Sequence, residues 1–307
     1  MLSLLKFCAG ITLLLFGMQF MRDGLESAAR KKMQKALKRL TKNPLVGFIA
    51  GVIITALVQS STAVTVITIG FVNAGILTFY QAVGIVLGTN VGTCITTQII
   101  SFRIEDIALP AIGLGALLIV IPQKNSWRYL GQSIAGFGII FLGINIMSES
   151  LEPLKNSPFF INLLARVSSN VFFGILAGTV FTGLIHSSAT TTGIVITLSR
   201  QGLLDLPTSI AIILGSNIGT CITGVLAAIG TPPAAKQVAA AHVLLNVFGV
   251  IAVIPFILPF ASLVEFTATD LPRQIANAHT IFNVFSSLLV LPFTRYFSKL
   301  VEKMVPS

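Results

Sequence analysis

The chain has 307 residues, of which 54% are hydrophobic and 10% are charged, and its mean hydropathy is +0.91. This composition excludes an ordinary soluble globular protein, in which about 25% of residues would be charged. It predicts an all-α polytopic membrane protein, because helices satisfy their own backbone hydrogen bonds inside the bilayer. Cys8, Cys94 and Cys221 all fall in apolar segments, so no extracellular disulfide framework is expected.

Seven apolar stretches are long enough to cross a hydrocarbon core of roughly 30 Å, which takes about 20 helical residues. In chain order they are 4–21, 76–100, 107–122, 129–147, 206–229, 238–260 and 275–293. The first is interpreted as a span rather than a removed signal peptide, because Lys6 is its only charge and no small-x-small cleavage pattern follows it.

A basic run follows the first span and holds much of the net charge of +10. Its members are Arg30, Lys31, Lys32, Lys35, Lys38, Arg39 and Lys42. Nucleic-acid binding would suit such a run, but a cytoplasmic helix beside anionic lipid explains it more simply. The expected partner of this run is therefore the lipid bilayer, and no nucleic acid is expected.

Two further apolar stretches, 45–73 and 171–199, carry polar clusters near their middles: "VQSSTAV" at 58–64 and "IHSSATT" at 185–191. Each stretch is too long for one span and too short for two. Irregular backbone at membrane depth is tolerated only inside protein or beside a wet cavity. Both stretches are therefore predicted to be re-entrant helical hairpins whose polar tips meet inside the bundle.

The chain contains an internal repeat at an offset of 127 residues. Residues 47–96 and 174–223 are identical at 21 of 50 positions without a gap, and "GTNVGTCIT" at 88–96 recurs as "GSNIGTCIT" at 215–223. The preceding span repeats as "FGMQFMRDGLE" at 16–26 and "LGINIMSESLE" at 142–152. The glycine-rich blocks are predicted to interrupt their spans, so that each repeat holds one hairpin and one broken span.

Loop charges predict that the two copies are inverted. The run at 30–42 holds seven basic residues, whereas its counterpart at 156–170 holds only Arg166, so the positive-inside rule places them on opposite sides of the membrane. One membrane domain results, with 1–128 as the first repeat, 129–307 as the second and a cytoplasmic C-terminus. Inverted repeats are typical of secondary transporters with a site at the midplane.

Neutral hydrogen-bonding side chains at matching positions form the candidate site. The predicted substrate contacts are Gln59, Ser60, Ser61, Thr62, Asn90, Thr93, His186, Ser187, Ser188, Asn217 and Thr220. The predicted Na⁺ ligands are Gln59, Ser61, Thr89, Asn90, Ser188, Thr191, Ser216 and Asn217. Neutral oxygens suit a hard cation, and helix starts after the tips would offer N–H groups to an oxyanion. A single Ser or Thr often bonds its own helix instead, but paired clusters at equal spacing are not explained that way.

No carboxylate, lysine or arginine is predicted deep in a span, so the expected site has no fixed protein charge and bound Na⁺ balances the anion. His242 and His279 occur in a second similarity, "AAHVLLNVF" at 240–248 and "NAHTIFNVF" at 277–285, each with an Asn one helical turn on. Hydrogen bonding between helices is favoured for both histidines over lining the cavity or relaying protons.

These motifs resemble the type II sodium/phosphate cotransporter family. The matching residues are 59–61 with 90–93 in one half, and Ser187 and Ser188 with 217–220 in the other. The resemblance covers nearly the whole chain and implies Na⁺-coupled movement of inorganic phosphate, with Ser and Gln of both hairpins contacting phosphate and Na⁺ and with no organic cofactor. His186 departs from the pattern, because the family's second repeat usually has Gln there. The chain looks like a minimal bacterial membrane core.

The sequence thus predicts a secondary active transporter that works by alternating access in the cell inner membrane. Export of phosphate, or carriage of another small oxyanion, stays open because gradients set the direction. A channel built from two half-spanning hairpins and an intramembrane serine hydrolase are less favoured, since the hydrolase would need a Gly-x-Ser-x-Gly elbow that does not occur. Assembly as a homodimer is left open.

Overall fold

Helices form the regular secondary structure of the computed structural model, which describes residues 2–40, 43–102, 104–121 and 124–306. The α-helices are α1 (Leu2–Leu40), α2 (Pro44–Val58), α3 (Ser61–Asn73), α4 (Phe79–Ser101), α5 (Ala108–Val120), α6 (Asn125–Leu154), α7 (Pro158–Ser168), α8 (Val171–Ile185), α9 (Ser188–Arg200), α10 (Leu206–Ala228), α11 (Pro233–Val253), α12 (Ile257–Glu265), α13 (Leu271–Val290) and α14 (Thr294–Met304). Six helical segments of the described chain are long and apolar enough to cross a bilayer, or seven if the bent pair α7–α8 is one span. The prediction of an all-α polytopic membrane protein is confirmed.

Small residues let α1 and α6 pack closely in antiparallel orientation. A Cβ added to Gly17 would lie 2.9 Å from the carbonyl oxygen of Gly136, and one added to Gly24 would lie 2.6 Å from that of Tyr129. The later residue of α1, Gly24, therefore contacts the earlier residue of α6, Tyr129, so the two helices run antiparallel. Because these helices carry the repeated segments 16–26 and 142–152, the two copies run in opposite directions, as the loop charges predict. The exact boundary at 128/129 stays a prediction.

Both predicted hairpins are present as helix pairs. In the first, α2 and α3 are separated only by Gln59 and Ser60. In the second, α8 and α9 are separated only by His186 and Ser187. The first arm of each pair packs along the long helix that follows it, α2 against α4 and α8 against α10, so each polar tip is held against its own repeat.

The glycine-rich blocks do not interrupt their spans, and the prediction of broken spans there is wrong. The helices α4 and α10 run unbroken through 88–93 and 215–220. A Cβ on Gly92 would lie 2.6 Å from Cβ of Thr55, and one on Gly219 would lie 2.5 Å from the carbonyl oxygen of Thr179. The repeated glycines therefore admit the hairpin backbone at close range.

Helix breaks occur instead in the last two long segments. Short 3-10 turns at Ile254–Phe256 and Leu291–Phe293 separate α11 from α12 and α13 from α14. Each turn contains a proline, which lacks the N–H that a continuing α-helix would use. The predicted spans 238–260 and 275–293 therefore end as α-helices before their expected limits.

Two other predicted boundaries change. The helix α5 has 13 residues and is about 20 Å long at 1.5 Å per residue, so the predicted span 107–122 is too short to cross a bilayer alone. The predicted loop 156–170 contains α7, which begins at Pro158 and meets α8 at 109°. Its counterpart in the first repeat is continuous with α1, because α1 has no proline within its 39 residues.

Candidate functional site

Both hairpin tips have the same backbone geometry. Gln59 and His186 end α2 and α8 in the left-handed conformation, with φ angles of 58° and 54°, and they are the only non-glycine residues of the described chain with positive φ. This conformation is unfavourable for residues with a Cβ and is concentrated at functional sites. The two tips therefore share a special structure and not only a similar sequence.

The next residue of each tip caps the second helix. The hydroxyl oxygens of Ser60 and Ser187 accept hydrogen bonds from the backbone N–H groups of Ala63 and Thr190, at 3.1 and 3.3 Å. Consequently α3 and α9 both begin at the tips, with the positive ends of their dipoles directed there. Ser61 and Ser188 are the first residues of these helices, and within the described chain their hydroxyls make no side-chain hydrogen bond.

Equivalent threonines hold the side chains of the left-handed residues. Thr96 donates a hydrogen bond of 2.6 Å to Oε1 of Gln59, and Oγ1 of Thr223, its counterpart in the second repeat, lies 3.2 Å from Nδ1 of His186. Gln59 is buried, whereas His186 is exposed. The imidazole of His186 thus takes the hydrogen-bonding position that the carboxamide has in Gln59, but the histidine is exposed.

An arginine joins the two tips. Nε of Arg22 on α1 donates to the backbone oxygen of Gln59 at 3.0 Å, and its Nη2 donates to Oγ of Ser187 at 3.2 Å. This guanidinium lines a cavity of about 370 Å³ between α1 and the tips. The polar residues around the cavity are Gln19, Arg22, Asp23, Glu26, Ser60, Thr62, His186, Ser187 and Thr190.

The prediction of a site without a fixed protein charge is therefore wrong. It assumed that the first span ends at residue 21, but α1 continues to Leu40, and the apolar segment long enough to span runs from Leu2 to Arg30. Arg22 consequently lies within the helix, and its side chain reaches both repeats. The signal available in the sequence was the lone Arg22 within the repeated segment 16–26, whose counterpart is Ser148.

The cavity brings together only part of the predicted substrate set. Ser60, Thr62, His186 and Ser187 line it, while Gln59 contributes its backbone oxygen to Arg22. Ser61 and Ser188 adjoin these residues in the chain. The remaining predicted contacts lie on α4 and α10 and do not line this cavity: Asn90, Thr93, Asn217 and Thr220.

The two asparagines belong to a separate buried layer. Asn90 lies 3.1 Å from Nε2 of His242 and donates to Oδ1 of Asn246 at 3.2 Å. On the other side, Asn217 lies 3.3 Å from Nε2 of His279. These contacts join α4 to α11 and α10 to α13. The preference for hydrogen bonding between helices is therefore confirmed for both histidines.

Most of the predicted Na⁺ hydroxyls are bonded within the protein. Thr89 and Ser216 donate to backbone oxygens of their own helices at 2.8 and 2.7 Å. Thr93 and Thr220, which were predicted as substrate contacts, do the same at 2.9 Å. Thr191 pairs with Thr182 at 2.6 Å. Four other buried hydroxyls have no partner among the described residues: Thr55, Thr65, Thr97 and Ser298. Neutral oxygens of this kind fit Na⁺.

The fold and the paired tips define a polytopic membrane protein in which two inverted copies of a helical hairpin enclose one polar, arginine-bearing cavity. The chain matches the Na⁺/Pi-cotransporter family twice, over residues 13–149 and 143–286. It belongs to that family, and each match includes one helical hairpin and the long helix that follows it.

Relatives of this chain include both unassigned and phosphate-handling proteins. "Uncharacterized protein YqeW" of Bacillus subtilis is 39% identical over 88% of each chain. "Putative inorganic phosphate export protein YjbB" of Salmonella typhimurium is 26% identical over 86% of this chain but only 49% of its own length, so the chain spans about half of that relative. Human "Sodium-dependent phosphate transport protein 2B" is 42% identical over 62 residues, which are 20% of this chain and 9% of that protein. No solved structure matches the chain.

Proposed function

We propose that the protein is a secondary active transporter that moves inorganic phosphate together with Na⁺ by alternating access. The observation that carries the proposal is the convergence of both hairpin tips on Arg22 in one cavity. Membership in the Na⁺/Pi-cotransporter family and the phosphate-related names of relatives support the choice of substrate.

Phosphate would take the place between the tips. The guanidinium of Arg22 has a planar set of donors that matches phosphate oxygens, and within the described chain no carboxylate forms an ion pair with it. The hydroxyls of Ser60, Thr62 and Ser187 and the ring of His186 line the same space. The positive ends of α3 and α9 add a favourable potential for an anion.

Na⁺ would bind as a co-substrate at neutral oxygens of the hairpins and the helices behind them. Ser61 and Ser188 are suitable because their hydroxyls are not used within the described chain, and the unpartnered Thr55, Thr65 and Thr97 offer further oxygens. The inversion supports alternating access, because movement of one hairpin against its repeat would open the cavity on one side and the equivalent movement would open it on the other.

The distribution of charge supports one orientation of the protein in the cell inner membrane. The end of α1 and the helix α14 lie at the same end of the molecule, because Met33, Leu37 and Val301 belong to one buried cluster. The same parts of α1 and α14 carry the exposed lysines Lys32, Lys35, Lys299 and Lys303. By the positive-inside rule this end, with the C-terminus, faces the cytoplasm.

Counterflow of labelled phosphate in proteoliposomes, with and without Na⁺, tests the proposal. Wild-type protein should accumulate label only with Na⁺ present. Arg22→Ala should abolish exchange. Arg22→Lys should retain only a fraction of the exchange, because a lysine cannot bridge both tips. Arg295→Ala, on the exposed face of α14, should behave as wild type. Saturable exchange without Na⁺ would favour the exporter, and fast non-saturating flux would favour a channel.

A further inference from the structure

Two carboxylates share the central cavity with Arg22. Asp23 and Glu26 line it from the same face of α1, one and four residues beyond the arginine. The ion pair found among the described side chains joins Lys155 to Glu152 at 3.1 Å, so neither cavity carboxylate approaches a guanidinium nitrogen of Arg22 within 4.0 Å. Asp23 therefore acts on Arg22 electrostatically but not by direct contact, and one cation and two carboxylates line the same cavity.

The carboxylates are arranged to accept further hydrogen bonds. Nε2 of Gln19 donates to Oδ1 of Asp23 at 2.8 Å, which orients that carboxylate and leaves Oδ2 available. Glu26 is partly buried at the cavity wall and makes no side-chain hydrogen bond within the described residues. An ionised carboxylate can only accept hydrogen bonds. An anion that carries a proton can therefore offset the charge repulsion by donating a hydrogen bond to the carboxylate, whereas an anion without a proton meets the repulsion alone.

We infer that Asp23 and Glu26 make the site selective for protonated tetrahedral oxyanions, phosphate above all, over sulfate. Arg22 would bind ionised oxygens of the anion, and the carboxylates would accept hydrogen bonds from its hydroxyl groups. Near neutral pH phosphate keeps at least one P–OH group, whereas sulfate has the same tetrahedral shape but no proton to donate. A site built around such a hydrogen bond rejects an analogue that cannot make it. This inference rests on the proposed function and deepens it.

The second repeat supplies matched controls. Glu149 and Glu152 occupy the positions equivalent to Asp23 and Glu26, but they do not line the cavity, and Glu152 pairs with Lys155. A selectivity effect confined to the first pair would therefore come from position and not from the mere loss of negative charge.

Binding of anions to the purified full-length wild-type protein, measured by isothermal titration calorimetry in Na⁺, provides the first test. Phosphate and arsenate, which both carry a proton near neutral pH, should bind and compete, whereas sulfate and selenate should not displace phosphate at a hundredfold excess. Equal competition by sulfate would overturn the inference. Absence of any phosphate binding would overturn the proposed function along with it.

The variants Asp23→Asn and Glu26→Gln, singly and combined, provide the second test. Phosphate affinity should fall and sulfate affinity should rise, so that the phosphate-to-sulfate preference drops by roughly tenfold or more, as for loss of a hydrogen bond to a charged group. Glu149→Gln and Glu152→Gln should keep the wild-type preference. An unchanged preference in the combined variant, or a change only in the Na⁺ concentration needed for binding, would contradict the inference while leaving phosphate transport intact as a proposal.

Discussion

Gln59 and His186 occupy the same left-handed position at the ends of α2 and α8, with φ angles of 58° and 54°, and each side chain contacts the equivalent threonine, Thr96 or Thr223. The difference between them is chemical. A carboxamide holds the first tip, whereas an imidazole, which can take up a proton, holds the second.

His186→Gln should therefore preserve transport, because glutamine reproduces the contact seen between Gln59 and Thr96. The measurement is Na⁺-dependent phosphate uptake by the variant, compared with Thr223→Val, which removes the partner of His186. A folded but inactive His186→Gln variant would show that the imidazole itself is required.

Ser61→Ala and Ser188→Ala should each reduce Na⁺-dependent uptake at least about tenfold, because each removes a free hydroxyl from the first turn of a helix that begins at a tip. Protein amount in the membrane should be unchanged. Ser199→Ala is the matched control, since Ser199 lies on the same helix as Ser188 and its hydroxyl bonds to the backbone oxygen of Ile196. Wild-type uptake in both tip variants would argue against these serines as ligands.

Gly92→Ala should destabilise the protein by about 1–3 kcal/mol, the usual cost of inserting a methyl group into a packed interface. The added Cβ would lie 2.6 Å from Cβ of Thr55, whereas one on Gly113 of α5 would meet no atom within 4 Å. Gly113→Ala should therefore be neutral or slightly stabilising. Thermal unfolding of both variants in detergent checks the difference, and equal midpoints would contradict the proposed role of Gly92 in packing.

Asn246→Ala should be more destabilising than Asn283→Ala, although the two residues are equivalent in the second similarity. Asn246 accepts a hydrogen bond of 3.2 Å from Asn90, while Oδ1 of Asn283 and Nδ2 of Asn217 are buried without partners among the described residues. Leaving Nδ2 of Asn90 unpaired should cost about 1–3 kcal/mol more. Comparison of the two unfolding midpoints tests this, and the reverse order would indicate that the Asn217–Asn283 pair forms in the membrane.

The sequence alone determined the class of membrane protein, the internal repeat and the residues of the hairpin tips, because all three depend on local sequence patterns. Apolar length predicts membrane helices, polar clusters within such lengths predict hairpins, and an offset of 127 residues is visible without any structure. Loop charges at 30–42 and 156–170 were sufficient for the inversion, which the antiparallel packing of α1 and α6 then confirms.

The composition of the site was decided only by the tertiary structure. Arg22 reaches the tips because α1 continues past the predicted end of its span. The end of an apolar stretch does not mark the end of a helix when the polar residues that follow also favour helix. From sequence alone, the glycine blocks are compatible with either helix breaks or close helix contacts. The close approach of α2 and α8 to these glycines shows that they serve close contacts. Asn90 and Asn217 lie apart from the cavity because side chains on one helix face whichever neighbour the packing provides, and residues distant in sequence, such as His242 and His279, supply that neighbour.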